Sequence, residues 1–553
     1  MTTFSHAPVE VPLVADRGRP APLTAQIIMQ LRAALADGQL VAGERLPSTR
    51  GLAVSLDVSR TVVTTAYAQL FAEGWLESRH GSGTYVATGA TARTPRASGV
   101  AGASSGSGGS SGSGGSSAAR RSMITEYSGH IDPEIFRDHD GRADRVPPAT
   151  SPSRSPLITE YPGHMDPEIF RDHESRLRMG VRGGRDAGGA VGLTAEPGLI
   201  DLRPGIPWTE GIDRAVWRRA WRRAAAAPIS NWPDTRGLPA LRGALTGYLR
   251  RSRAVRCGTD QVLVTRGVSA SLSLLAMALL RPGDRVGIEE PGYQVARAVF
   301  EARGARLVPC RVDSDGLVVR ELPDDLRMVY TTPAHQYPLG GRLAMPRRQA
   351  LISWARGTGT LILEDDYDGE FRYDVGPLPA LFGLDPDVVV YLGTTSKTLT
   401  PTLGAGWLVA RPDLVDGLVD AGSAAPPRVP EPVQHAVLAL LENGDLERHI
   451  RRMRHDYARR RAAMVSLLGP AGRLHGDTAG MHMFLELAPG VDDDVAAAAR
   501  ARGVGVMTLR RYFSGPPVRH GLVLGYGAAS LGEVTRAGQV LAEILRSSEH
   551  GSG

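Results

Sequence analysis

From Leu193 onward the chain repeats one pattern, a short and almost uninterrupted apolar run followed by a longer amphipathic stretch. The runs are "QVLVT" (261–265), "RVGIEE" (285–290), "RLVPCRV" (306–312), "RMVYTTP" (327–333), "TLILEDD" (360–366), "VVVYLG" (388–393) and "AGWLVA" (405–410). Apolar runs without polar alternation mark strands buried on both faces, and the helical periodicity between them supplies the cover. This order predicts an α/β fold with a mostly parallel sheet and helices on both faces. Ligands of such sheets sit at the C-terminal strand ends.

One residue at such an end stands apart. Lysine and arginine together number 64, and Lys397, in "LGTTSKTLTP" after the strand "VVVYLG", is the only lysine among them. Arginine serves equally well in a surface ion pair. A lysine amine, unlike a guanidinium, can lose its proton and attack a carbonyl carbon. A lysine kept where arginine has otherwise taken over therefore points to amine chemistry at Lys397. Other strand ends gather polar residues too: Asp365, Asp366 and Tyr367 in "LILEDDYDGEFRY", and the segments "VTRGVSASLSLL", "EEPGYQVARAVF" and "TTPAHQYPLGG".

Composition bounds the rest. A chain of 553 residues is too long for one ordinary core. Its two cysteines, Cys257 and Cys310, exclude a disulfide framework or a cysteine zinc site, and histidine placement gives no metal site. No signal peptide is evident, and the run "SASLSLLAMALL" is too short to span a bilayer, so a cytoplasmic protein is expected. The net charge of +6 hints at a polyanionic partner. Yet arginines and acidic residues are equal in number between residues 1 and 90, so nucleic-acid binding there must rest on local placement.

Three zones follow: 1–90, 91–192 and 193–553. In the first, Leu23, Ile27, Leu31 and Leu35 recur at helical spacing, and a turn-rich stretch follows. Ser48 caps a short second helix and Ser59 a third, in helix-turn-helix order, and "WLESRHGSGTYVA" reads as two strands around a glycine-rich tip. The whole run from Leu46 to Ala87 resembles the winged helix-turn-helix of GntR-type bacterial transcription regulators. The resemblance implies that Arg50, Ser59, Arg60, Thr61 and Thr64 face double-stranded DNA and that Arg79, His80 and Gly81 form the wing tip. Residues at the start of a recognition helix reach base edges and phosphates in the major groove.

Residues 91–192 show little sign of a core. "ASSGSGGSSGSGGSS" has the composition of a flexible tether. A segment then appears twice, "ITEYSGHIDPEIFRDHD" from Ile124 and "ITEYPGHMDPEIFRDHE" from Ile158. Each Asp-Pro-Glu is a good helix start. A docking peptide and a duplicated linker are equally compatible with these residues.

The polar segments of the third zone, in their order around Lys397, resemble the aminotransferase-like domain of the MocR (GabR-like) regulators, a branch of the GntR family. That domain belongs to fold type I of the pyridoxal 5′-phosphate (PLP) proteins and ends in a small α+β subdomain. The resemblance implies that Lys397 binds PLP covalently, Asp365 pairs with the pyridine nitrogen, Tyr367 bonds the phenolic oxygen and Tyr293 stacks on the ring. His335 and Gln336 would add polar contacts. Backbone amides of Val268 and Ser269, with Thr394 and Ser396, would hold the phosphate. It further implies a head-to-tail, domain-swapped homodimer that binds a DNA operator and senses PLP or its adduct with an amine or amino acid.

Three positions depart from the family pattern. Gly404 stands where an arginine usually grips the phosphate, Trp232 where a tyrosine reaches it, and Val523 where an arginine grips a substrate carboxylate. A charge-assisted clamp is lost at each arginine. Arg510, Arg511 and Arg519 are candidate replacements. Little or no transaminase turnover is therefore expected, and a working aminotransferase or a regulator that senses another ligand or partner without PLP are the alternatives.

Overall fold

The computed structural model describes residues 13–18, 21–36, 39–79, 83–87, 198–375, 378–422 and 428–550. His80 and Gly81, the side chain of Arg79, the glycine-serine tether and both copies of the repeated segment lie outside the described residues.

The N-terminal head contains α1 (Leu23–Ala36), α2 (Thr49–Ser55), α3 (Arg60–Glu73), β1 (Leu76–Arg79) and β2 (Gly83–Val86). Ser48 and Ser59 cap α2 and α3, accepting hydrogen bonds from Gly51 N at 3.0 Å and Val62 N at 3.4 Å. Gly74 ends α3 in the left-handed region, φ +80°. β1 and β2 form an antiparallel hairpin, the wing. Ile27, Leu31 and Leu35 of α1 pack with Leu52, Val63, Leu70 and Trp75. The same core takes in Met345, a residue from far along the chain.

Residues 198–550 build the large domain. Its eight-stranded sheet runs from edge to edge as Val262–Thr265, Gly406–Val409, Val389–Thr394, Leu361–Asp365, Met328–Thr331, Arg285–Glu290, Arg306–Asp313 and Gly316–Leu317. The strands from Val389–Thr394 across to Arg306–Asp313 pair in parallel, and Gly406–Val409 is antiparallel to both its neighbours. All seven apolar runs of the sequence are strands of this sheet; the eighth strand is a short hairpin edge.

Alternate residues of each strand feed opposite faces. Leu263, Val390, Leu392 and Leu408 pack with the helices Val268–Leu279, Gln294–Glu301 and Pro412–Ala421. Val264, Val389, Tyr391 and Trp407 enter a larger core with the helices Pro239–Arg253, Met345–Thr358 and Glu431–Glu442. At roughly 25 cal/mol per Å² of apolar surface, burial on both faces is the main force holding the sheet.

A smaller α+β subdomain closes the chain. Arg473–His475, His482–Glu486, Gly521–Gly525 and Met507–Thr508 form an antiparallel sheet beside the helices Asp492–Ala501 and Leu531–His550. Ile200–Asp201 pairs in parallel with Val504–Gly505 and ties the start of the large domain to it. Among the described residues no helix is long and apolar enough to cross a membrane.

Candidate functional site

Lys397 lies just past the C-terminal end of the strand Val389–Thr394, and its Nζ donates to the carbonyl of Gly205 at 2.6 Å. Burial lowers the proton affinity of the amine, while Asp365 and Asp368 raise it. Gly205 sits at φ +81°, and a Cβ there would stand 3.2 Å from Nζ. The positive φ favours glycine at this position, and a side chain there would also press on the end of the lysine.

Asp365 ends the adjacent strand. Tyr330 donates to its Oδ2 at 2.5 Å, and its Oδ1 is buried without a partner. Burial pushes the carboxyl up to about 7, against the pull of the Tyr330 hydroxyl. An orphaned carboxylate oxygen in the interior is costly unless a donor meets it, and a pyridinium N–H is such a donor.

Behind Asp365, Asp366 is fully buried in an ion pair with Arg253, whose Nη2 lies 2.7 Å from Oδ1, and Tyr391 donates to Oδ2 at 2.7 Å. Arg253 also reaches Gly369 O at 3.0 Å, so this pair fixes the turn that carries Tyr367 and Asp368.

The helix Val268–Leu279 begins at Gly267, φ +99°, with no side chain capping its first amides. Free N–H groups at a helix start are an anion site. A Cβ on Gly267 would stand 3.7 Å from Thr394 Oγ1, and Thr394 donates to Ser396 Oγ at 2.9 Å, so these hydroxyls adjoin the helix start. Ser269 bonds Tyr293, whose ring stacks on Tyr330 at 6.4 Å and feels the Asp365 charge.

Tyr367 donates to the carbonyl of His335 at 2.9 Å and lies 3.1 Å from its Nδ1. Gln336 is spent elsewhere. Its amide donates to Glu289, to Pro291 O at 3.0 Å and to Tyr337 O at 2.8 Å, and accepts from Leu339 N at 3.1 Å. Gln336 thus shapes its own loop rather than pointing at the lysine.

Histidine placement along the sequence does not disclose a cluster that lies beside the lysine. His335, Asp368 and His482 are buried, with ligating atoms within 4.8 Å of one another. His335 Nδ1 lies 3.0 Å from Asp368 Oδ2. His335 Nε2, Asp368 Oδ1 and both nitrogens of His482 have no hydrogen bond of normal geometry. Burial, and then His335, hold His482 well below the usual imidazole range, so it is neutral. The rings of Tyr337 and Tyr367 pack against these groups, and Tyr512 packs edge-on against Tyr337. Sequence reasoning missed Tyr330, whose only signal is a hydroxyl in an apolar run, and Asp368, which lies in the quoted segment "LILEDDYDGEFRY" without standing out there; Gly205 and His482 carried no local signal.

The three departures have distinct settings. Gly404 sits at φ +54° with nothing within 4 Å of a Cβ. Val523 is wholly buried, paired with Phe484 and Met507 in the small sheet. Trp232 is 90% and nearby Ile229 99% exposed, beside a cavity of about 490 Å³ lined by Ile229, Asp234, Val264, Gln434 and His435. Arg510 pairs with Asp493, and Arg519 with Glu486 and His475 while covering Phe484. Arg511 lines a separate cavity with Asp201, Arg203 and Arg500.

In the head, Arg50, Ser59, Arg60, Thr61 and Thr64 are all exposed at the starts of α2 and α3. Buried Val63, Ala66, Tyr67 and Leu70 hold the opposite face of α3.

Residues 23–86 match the model of the gntR family of bacterial regulatory proteins, and residues 200–517 that of class I and II aminotransferases. The probable rhizopine catabolism regulatory protein MocR of Rhizobium meliloti is 33% identical, over 93% of this chain and 92% of its own. The HTH-type pyridoxine biosynthesis transcriptional regulator PdxR of Corynebacterium glutamicum is 31% identical, over 94% and 95%. Among solved structures, an archaeal alanine:glyoxylate aminotransferase superposes with a TM-score of 0.60 at 25% identity, covering 69% of this chain and 95% of its own. The α-aminoadipate aminotransferase LysN of Thermus thermophilus, complexed with N-(5′-phosphopyridoxyl)-L-leucine, gives 0.58 at 25% identity, over 66% and 97%.

Proposed function

Because the chain belongs to the MocR-type GntR-family regulators, which join a winged helix-turn-helix to an aminotransferase-like domain, we propose that PLP held at Lys397 sets how firmly the head grips operator DNA. The observation that carries this reading is the pairing of a single, buried lysine with an Asp365 oxygen that has no partner. Bound PLP supplies an aldehyde for the amine and an electron-withdrawing ring. Asp365 Oδ1 would accept from its ring nitrogen, and the amides of Val268 and Ser269, with Thr394 and Ser396, would hold its phosphate. Tyr293 would stack on the ring, and Tyr367 would reach the phenolic oxygen by turning its one hydroxyl proton away from the His335 carbonyl.

The unsatisfied atoms of His335, Asp368 and His482 support a pocket for a polar group on an amine or amino-acid effector. Sustained transamination is not expected, since Gly404 and Val523 stand where two arginine clamps would be. The exposed Ile229 and Trp232 favour a second copy as their cover, in a head-to-tail homodimer whose two heads read paired half-sites.

The test is an absorbance spectrum of the purified protein with and without PLP, beside Lys397→Ala. A visible band that the variant lacks is expected, together with a PLP-dependent change in DNA affinity in the wild type only. A wild-type spectrum that stays flat after PLP addition would remove the sensing role and leave a DNA-binding protein.

A further inference from the structure

One stretch of chain touches both the lysine pocket and the DNA-binding head. At one end, Thr331 and Thr332 donate to the buried Glu289 carboxylate at 2.5 and 2.7 Å, and His335 meets Asp368 and Tyr367. The backbone then folds on itself: Gly340 N donates to Gln336 O at 2.7 Å, Gln336 N to Gly341 O at 2.6 Å, and Leu343 N to Pro333 O at 2.9 Å. At the other end one Nη of Arg342 reaches both oxygens of Asp477 at 2.7 Å, and the second approaches the carbonyl of Phe71 in α3 at 3.4 Å. Gly74, which ends α3, packs so closely that a Cβ would meet Ala344 Cβ and Met345 N at 3.2 Å. Met345 itself is 3% exposed, inside the head's own core.

Two features tie this stretch into one body. Arg348, fully buried, bonds both of its arms, Pro333 O at 2.8 Å and Leu343 O at 2.8 Å, and anchors them to Pro379 O at 2.7 Å. Burial lowers its guanidinium to about 10, and Glu364 and, more weakly, Asp366 and Glu73 of α3 oppose this. The second feature is crowding around His335. A Cβ on Gly480 would fall 1.9 Å from His335 Cε1, and one on Gly340 would fall 3.0 Å from Gly476 Cα. Asp477, the partner of Arg342, donates its amide to Gly340 O at 2.7 Å. Displacing the imidazole therefore displaces the 476–480 turn and, with it, the anchor of Arg342. Packed interiors pass such shifts on rather than absorbing them.

We propose that Arg342–Met345 is the docking surface for the C-terminal end of α3, and that the segment from Thr332 to Met345 makes this surface respond to what fills the Lys397 pocket. The second half rests on the reading of that pocket as a PLP site. A ligand shifts the head only by interacting differently with its two positions, and His335, with Nε2 unsatisfied, is the group in the segment whose interactions an occupant changes.

Hydrogen exchange on the full-length protein tests both halves, comparing wild type, Arg342→Ala and Met345→Gln, each with and without added PLP. Without PLP, both variants should exchange the amides of residues 70–76 roughly tenfold faster than wild type while α1 keeps its protection. Unchanged exchange at 70–76 in both variants overturns the docking surface, and lost protection of α1 in Met345→Gln leaves Arg342→Ala to decide it. With PLP bound, as its visible band reports, wild type should change protection at both 336–345 and 70–76, and the variants only at 336–345. A wild type that shows the band without a change at 70–76 overturns transmission alone. Absence of the band overturns the cofactor reading and transmission together, and the docking surface still stands or falls by the PLP-free comparison.

Discussion

Replacing Asp365 with asparagine should make the cofactor-free protein more stable and the cofactor less tightly held. The carboxyl is wholly buried and is pushed up from 3.8 to about 7. At about 1.36 kcal/mol per pH unit, a gap of roughly three units is worth about 4 kcal/mol. The sign follows from where the proton sits. Below pH 4 the carboxyl is protonated whether the chain is folded or not, and nothing is lost. Between pH 4 and 7 the unfolded chain releases the proton and the folded chain keeps it, so folding stability declines steadily; above pH 7 the whole loss is in place.

Asparagine keeps an acceptor for the Tyr330 hydroxyl and never ionises, so it escapes this decline. With an unfolding entropy of about 2.1 cal/mol/K per residue, a domain of roughly 350 residues gains about 6 °C in Tm at pH 8 and about 2 °C at pH 5. Thermal scans of both apoproteins at one scan rate across that range would show it. Loss of a charge-assisted hydrogen bond should weaken PLP binding about 10- to 100-fold by absorbance titration. A Tm difference that is flat from pH 5 to 8 would refute the reasoning, because Asp365 would then titrate like an ordinary carboxylate.

Two further outcomes are expected. Gly205→Ala places a Cβ 3.2 Å from Lys397 Nζ at φ +81°, so it should cost about 1 kcal/mol of stability and weaken PLP binding in the same titration; an unaltered dissociation constant would show that the lysine has room to retreat. Arg60→Ala should lower the slope of log affinity against log salt by about 1 on duplex DNA, as expected for one lost phosphate contact, and an unchanged slope would take Arg60 off the DNA.

Much of the fold was legible because burial on both faces leaves a local trace. A strand such as Val389–Thr394, buried at every position, has no polar alternation to hide behind. The positions of Lys397 and Asp365 were legible because one follows such a strand and the other ends one. What escaped is long-range. Gly205 meets Lys397 across 192 residues, and His482 joins His335 from another sheet. Gln336 shows the opposite error. Its place in the motif suggested a cofactor contact, but the structure shows its amide engaged with Glu289 and Pro291, a pairing of residues 47 and 45 positions apart. Arg519 likewise looked available as a clamp until Glu486 and His475 proved to hold it.

The head's core is completed by Met345, a side chain that its own sequence does not encode. Modules that share a core are not freely interchangeable. A chimera that grafts this head onto another relative would inherit whatever that relative carries at the equivalent of position 345, and a mismatch there would surface as a poorly folded head even with every DNA-facing residue intact.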